Sequence, residues 1–140
     1  MKYKILISFI TLLFISGCSD DDVNTEKSTI IGLWTLVNTT GTIAGINHQF
    51  VENEIIWTFN TNNTVTVVNN STDENLQSGF PSGTYPYTIA DNENIASCPQ
   101  NITIQTAEFG CLSFYGNEMD INENIADGIN YHFYKIIVPD

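Results

Sequence analysis

The chain is 140 residues long and carries 4 Lys plus Arg against 16 Asp plus Glu, a formal net charge of −12. One domain is the natural count at this length, and four lysines with no arginine exclude nucleic acid, because phosphate neutralisation needs several cations on one face. With 8 Phe, 6 Tyr and 2 Trp, a 42% apolar composition calls for a packed core and not for a disordered acidic tail.

Residues 1–17 read as a lipoprotein signal peptide. Lys2 and Lys4 give a positive start, and Ile5–Ile15 is an apolar stretch shorter than the roughly 20 residues of a membrane span. The segment ends in Ile15-Ser16-Gly17-Cys18, which resembles a bacterial lipobox. That resemblance implies lipidation of Cys18 and anchorage to a membrane; an ordinary secretory signal with an unrelated cysteine is the alternative. Ser19, Asp20, Asp21 and Asp22 follow at once and resemble the acidic export signal of surface lipoproteins in Bacteroidota. The implied address is the outer membrane, at the cell surface, although four residues also fit a plain solvated linker. Removing residues 1–17 takes away two lysines and no acids, so the mature charge is −14. Residues 18–29 form a polar, aperiodic tether, and residues 30–140 the folded domain.

Within that domain short alternating strands are punctuated by Asn, Gly and Asp. A first strand is expected near Ile31–Asn38. Ile43–Phe50 is the best helical candidate, a single turn within a loop. Ile55, Trp57 and Phe59 alternate with polar or outward positions, the period-two pattern of a half-buried strand. Thr61-Asn62-Asn63 turns the chain into Thr64–Val68. Tyr85, Tyr87 and Ile89 mark the next strand, where Pro86 withholds a ladder donor and predicts a bulge or unpaired stretch. Ile102 and Ile104 alternate in turn, and Leu112-Ser113-Phe114 leads through Gly116-Asn117 into Met119-Asp120-Ile121 as a hairpin. The last strand is expected from about Ile129 to Val138, with Tyr131, Phe133 and Lys135 sharing a face. Eight sequential strands with brief connections predict an all-β fold, a single eight-stranded up-and-down antiparallel barrel, with a sandwich as the lesser option. The two long connections, Thr39–Asn53 and Asn69–Gly83, are expected over one end of it.

Gly32-Leu33-Trp34 on the first strand resembles the G-x-W signature of lipocalins and their calycin relatives. Together with Ile56-Trp57-Thr58-Phe59-Asn60, Asn63-Thr64-Val65-Thr66-Val67, Ser82-Gly83-Thr84-Tyr85 and the closing Tyr131–Ile136 stretch, it makes residues 30–136 similar to the small lipocalin-like domain of Bacteroidota lipoproteins. The resemblance implies that Trp34 plugs the closed end of a barrel under a basic residue from the last strand. Lys135 stands at that place, where the family usually has arginine, and the chain lacks a C-terminal helix and has shorter strands.

Cys98 and Cys111 remain once Cys18 is assigned to lipid. An even pair in an exported protein favours a disulfide, and two buried thiols acting as small hydrophobes are the alternative. A strict hairpin register does not set the two opposite each other, so the bond requires Cys98 to fold back from its loop. His48 and His132 have no third ligand at metal spacing and read as rim or surface residues. The acidic loops Asp91-Asn92-Glu93-Asn94 and Asn122-Glu123-Asn124 with Asp127 offer hard oxygens for calcium but do not match the EF-hand loop and read more simply as solvated turns. No nucleophile elbow and no carboxylate pair in an apolar cleft is legible, so the chain is expected not to be an enzyme, with no catalytic residue, metal or cofactor. Trp57, Phe59, Tyr85, Tyr87, Phe114, Tyr131 and Phe133 are expected to share the barrel's inner face. They either fill the core or line a cavity. The leading expectation is a monomeric surface lipoprotein binding a small hydrophobic ligand in the barrel mouth. Its alternative is an interaction module with a filled core, whose loops contact an envelope or host protein.

Overall fold

The computed structural model describes residues 29–41, 45–92, 96–123 and 127–139. The signal segment, Cys18 and the run Ser19–Asp22 lie outside the described residues, as does Lys27. The strands are β1 (Gly32–Gly41), β2 (Asn47–Gln49), β3 (Ile55–Phe59), β4 (Thr64–Asn69), β5 (Gly83–Asp91), β6 (Gln100–Ile104), β7 (Ala107–Tyr115), β8 (Glu118–Asn122) and β9 (Ile129–Lys135). From β3 to β9 each strand pairs antiparallel with the next, and β1 pairs with both β3 and β9. The sheet therefore closes on itself as an eight-stranded up-and-down barrel with β2 as an additional strand. Closure pairs the eight barrel strands on both sides, and among the described strands β2 alone has a single partner, β1.

The helical turn expected within Ile43–Phe50 is replaced, over its described part, by extended β2. Asn38, Thr39 and Thr40 pair with Gln49, His48 and Asn47, while residues 32–35 pair with 56–59 of β3. Because β9 occupies the other edge of β1, β2 and β3 lie end to end along one edge as a single strand interrupted at residues 50–54. Three residues are too few for alternation to register, which is why the sequence pattern misses them. The last strand stops at Lys135, short of Val138. Its backbone runs on a little further, as the Ile136 N–H donates to the Leu33 carbonyl at 2.9 Å. Pro86 interrupts nothing: its carbonyl accepts from the Gln105 N–H at 2.8 Å, and the β5–β6 register begins one residue later, at Tyr87 and Ile104.

Inward positions alternate as the pattern predicts. Ile55, Trp57 and Phe59 of β3, Val65 and Val67 of β4, Met119 and Ile121 of β8, and Tyr131 and Phe133 of β9 are buried. Alternation breaks on β7, where Ile102 pairs with Gly110 but Thr103 with Glu108, leaving Phe109 as the extra residue of a bulge. Gly110 makes that bulge feasible. It has φ +145°, and a Cβ there would collide with the Asn122 carbonyl. The bulge turns Phe109 into the core, 5.7 Å from the Trp57 ring and 4.9 Å from Tyr131 by centroids.

Candidate functional site

The barrel interior is the first place where function was expected. Trp57 and Phe133 are fully buried with ring centroids 5.1 Å apart, and Phe59 meets Tyr87 edge-on at 5.2 Å. Tyr131 is buried as well. Five of the seven expected aromatic residues thus belong to one packed cluster. Tyr85 and Phe114 are half-buried at its two ends, Phe114 lying 6.0 Å from Trp34.

Two rings that alternation could not place complete the filling. Phe109 comes from the β7 bulge. Phe80 comes from the long connection between β4 and β5 and sits 5.8 Å from Trp57, 5.2 Å from Phe109 and 5.1 Å from Tyr85. Neither carries a strand-period signal. The one hint for Phe80 is a large apolar residue between Gly79 and Pro81 in a stretch where Leu76 is the one other large apolar side chain.

That connection is fastened over the barrel mouth by its own polar groups. Asn69 Nδ2 donates to the Ser78 hydroxyl at 3.1 Å and to the Phe80 carbonyl at 3.2 Å. Ser82 Oγ accepts from the Asn69 N–H at 2.9 Å, and the Tyr85 hydroxyl donates to the Pro81 carbonyl at 2.8 Å. Gly79 adopts φ +79°, and a Cβ at that position would stand 2.9 Å from the Trp57 ring. Only glycine allows the loop to lie that close. The two long connections meet where His48 Nδ1 accepts the Gln77 N–H at 2.9 Å. His48 is thus a rim residue, and its ring joins the two loops.

At the other end Trp34 is 1% exposed and its indole N–H donates to the Ile30 carbonyl at 2.7 Å. Trp34 and Lys135 are register partners across β1 and β9, and Lys135 Nζ lies 5.3 Å from the indole centroid. The ammonium thus covers the ring that closes this end.

Cys98 and Cys111 form a disulfide with their Cα atoms 5.4 Å apart. Cys111 faces Asn101 across the β6–β7 ladder. The bond therefore needs the 96–99 segment folded back onto the outer wall, and the Asn92 N–H to Pro99 carbonyl bond at 2.8 Å helps hold it there.

Three buried polar side chains bear on the chemistry of the interior. Thr39 Oγ1 and Trp57 Nε1 are buried without a partner among the described residues. The Tyr131 phenol is pushed well above its ordinary range by desolvation, and secondarily by the neighbouring Glu123 carboxylate. It therefore stays neutral at physiological pH.

On the outer wall, register sets Ser113 of β7, Asp120 of β8 and His132 of β9 side by side. His132 Nδ1 lies 2.6 Å from Asp120 Oδ1, and its Nε2 lies 3.7 Å from Glu118 Oε2. Asp120 stands between the serine and the histidine, whereas a nucleophilic triad needs the histidine in the middle. The histidine nitrogens address two different carboxylates, and the described residues contain no group of three or more metal-ligating side chains. In the acidic segments singled out from the sequence, Asp91 accepts from the Gln100 side-chain amide at 2.7 Å, and Glu93, Asn94 and Asn124 lie outside the described residues.

Compared with known proteins, the chain matches no family model, no curated protein and no solved structure.

Proposed function

We propose that this protein is a non-enzymatic, lipid-anchored surface module whose lipocalin-like barrel is a filled scaffold that binds through its exterior. One observation carries the reading: Phe80, delivered by the 70–82 loop, is seated among Trp57, Tyr85 and Phe109 in the mouth where a barrel ligand would enter. What remains for recognition is outside, beginning with the two loops joined through His48 and Gln77. Their exposed residues, Val51 at 73% among them, suit contact with an envelope or host protein. The lipobox-like end at Cys18 and the Ser19–Asp22 run support anchorage and display on the outer membrane.

A titration of the full chain with a fluorescent fatty acid tests the filled-core reading through Trp57 emission. No saturable quenching is expected; one-to-one quenching would refute it. Protease treatment of whole cells tests display, with Asp20, Asp21 and Asp22 replaced by alanine. Protection of the variant alone supports the address, and equal cleavage of both forms refutes the role of those residues.

A second reading has an observation of its own. Thr39 Oγ1 and Trp57 Nε1 are buried polar atoms without partners, and such atoms are costly unless something satisfies them. A small hydrophobic ligand with one polar end, entering in place of the Phe80 ring, would satisfy them. The same titration separates the two readings.

A further inference from the structure

Closure of the barrel places outward side chains of β7, β8 and β9 in rows across three strands. One row is Tyr115, Glu118 and Tyr134; the next is Ser113, Asp120 and His132; the third is Cys111, Asn122 and Asn130. Between the second and third rows, beside the disulfide, the wall carries a depression of about 330 Å³ lined by Ser97, Ser113, Tyr115, Asp120, Asn122 and Asn130 together with Cys111. That volume lies at the lower end of ligand pockets, about 300–1,000 Å³.

Several amides elsewhere on the barrel are tied to neighbouring groups. Asn60 is held by Thr64 and Thr66, Asn69 by the 78–80 loop, and Asn101 by Glu108. The side chains of Ser113, Asn122 and Asn130 take no hydrogen-bond partner among the described residues, and Asp120 commits only Oδ1, to His132. The wall therefore presents two amide planes, a hydroxyl and one carboxylate oxygen, a mixed set of donors and acceptors converging on one concavity. At its edge the Tyr115 ring is 63% exposed, an apolar face with a polar tip.

The chemistry of this lining selects its ligand by elimination. Anions are disfavoured, because Asp120 and Glu118 are adjacent and Lys135, the only lysine or arginine among the described residues, belongs to the Trp34 end. Apolar molecules would strand the amides. Metal ions find no cluster of three ligands among the described residues. An extended peptide has no free strand edge to join on this wall, because β7, β8 and β9 are each paired on both sides. A neutral saccharide meets every condition. Its hydroxyls both donate and accept, its ring has an apolar face to lay on Tyr115, and it carries no charge. We infer that the depression on the β7–β9 wall is a binding site for a neutral sugar, with Asn122, Asn130, Ser113 and Asp120 as its hydrogen-bonding groups and Tyr115 as its stacking platform. This goes beyond the loop-borne reading above and does not depend on it.

Saturation-transfer NMR on the full chain in detergent tests the inference. The probes are the methyl pyranosides of glucose, galactose, mannose and N-acetylglucosamine, with glucuronic acid and triglycine for comparison. At least one neutral pyranoside should receive saturation, strongest on the ring C–H protons of one face, and glucuronic acid should receive markedly less. The Asn122→Ala/Asn130→Ala double variant should weaken binding at least about tenfold, and Tyr115→Ala should remove the face-selective pattern. Asn130→Asp keeps the side-chain shape while adding charge and removing donors. It should behave like the double variant, which guards against loss through misfolding. Silence with all four pyranosides, transfer that survives these substitutions, or triglycine binding as well as the sugars would each overturn the assignment.

Discussion

Replacing Phe80 by alanine is the perturbation that bears most on the filled barrel. Its ring touches three others, Trp57, Tyr85 and Phe109, at centroid distances of 5.8, 5.1 and 5.2 Å. Complete burial of a phenylalanine is worth about 3–5 kcal/mol against alanine. Phe80 is half-buried, so the expected loss is about 2 kcal/mol. With an unfolding entropy of ~2.1 cal/mol/K per residue over roughly 110 folded residues, 2 kcal/mol lowers Tm by about 9 °C. The loop should stay in place, because Asn69 and Ser82 fasten it independently of the ring. The variant should then expose an apolar recess beside Trp57 and bind an anilinonaphthalene dye that the parent does not. Differential scanning calorimetry and dye fluorescence on the same samples check both parts. A Tm change under 2 °C, with no dye binding, would refute the seating of Phe80 and with it the packed mouth.

Three further outcomes follow from the same geometry. A Cys98→Ser/Cys111→Ser variant should lose about 3 kcal/mol, since the bond spans 13 positions. Denaturant melts check the loss, and a thiol count on the denatured, unreduced parent should find neither residue free. Lys135→Met keeps the aliphatic stem over Trp34 and removes the charge. Its expected cost is about 0.5–1 kcal/mol, a drop in Tm of roughly 2–4 °C, seen by thermal melting with altered indole emission. Tyr131 supplies the pH dependence. Its folded pKa is raised by burial and by Glu123, so the unfolded chain releases this proton first. The stability it contributes is full below about pH 10 and falls as pH rises further, by up to about 1.4 kcal/mol per unit. Urea midpoints between neutral and strongly alkaline pH should decline less steeply in Tyr131→Phe. Tyr87, also raised by burial, leaves a residual slope.

The barrel was legible because most of its strands alternate cleanly. Residues 55–59, 64–68 and 118–122 place their apolar side chains at every second position, and the structure buries those same positions. The pairing of Trp34 with Lys135 was expected from the G-x-W resemblance, while alternation alone puts Lys135 on the face of Tyr131 and Phe133, and only the β1–β9 register sets it opposite Trp34. What the pattern missed has physical causes. Phe109 is out of phase because the bulge at Gly110 adds one residue to β7. Phe80 lies on a loop, where no periodicity exists to mark it. β2 is cut from β3 by residues 50–54, so neither its type nor its pairing shows in three residues. The outer-wall rows need the registers of β7, β8 and β9 together. Alternation gives each strand's outward residues but not which of them stand opposite one another. His132 therefore read as a surface histidine, and its two carboxylate neighbours appear only once β8 and β9 are aligned.

The claim on which the proposed function rests is that nothing but the protein's own rings occupies the barrel. Native mass spectrometry of the protein purified from its own host, released gently from detergent, measures this directly. The mass of the lipidated polypeptide alone is expected, unchanged when collisional activation is raised. A bound apolar molecule that leaves on activation, in stoichiometric amount, would contradict it.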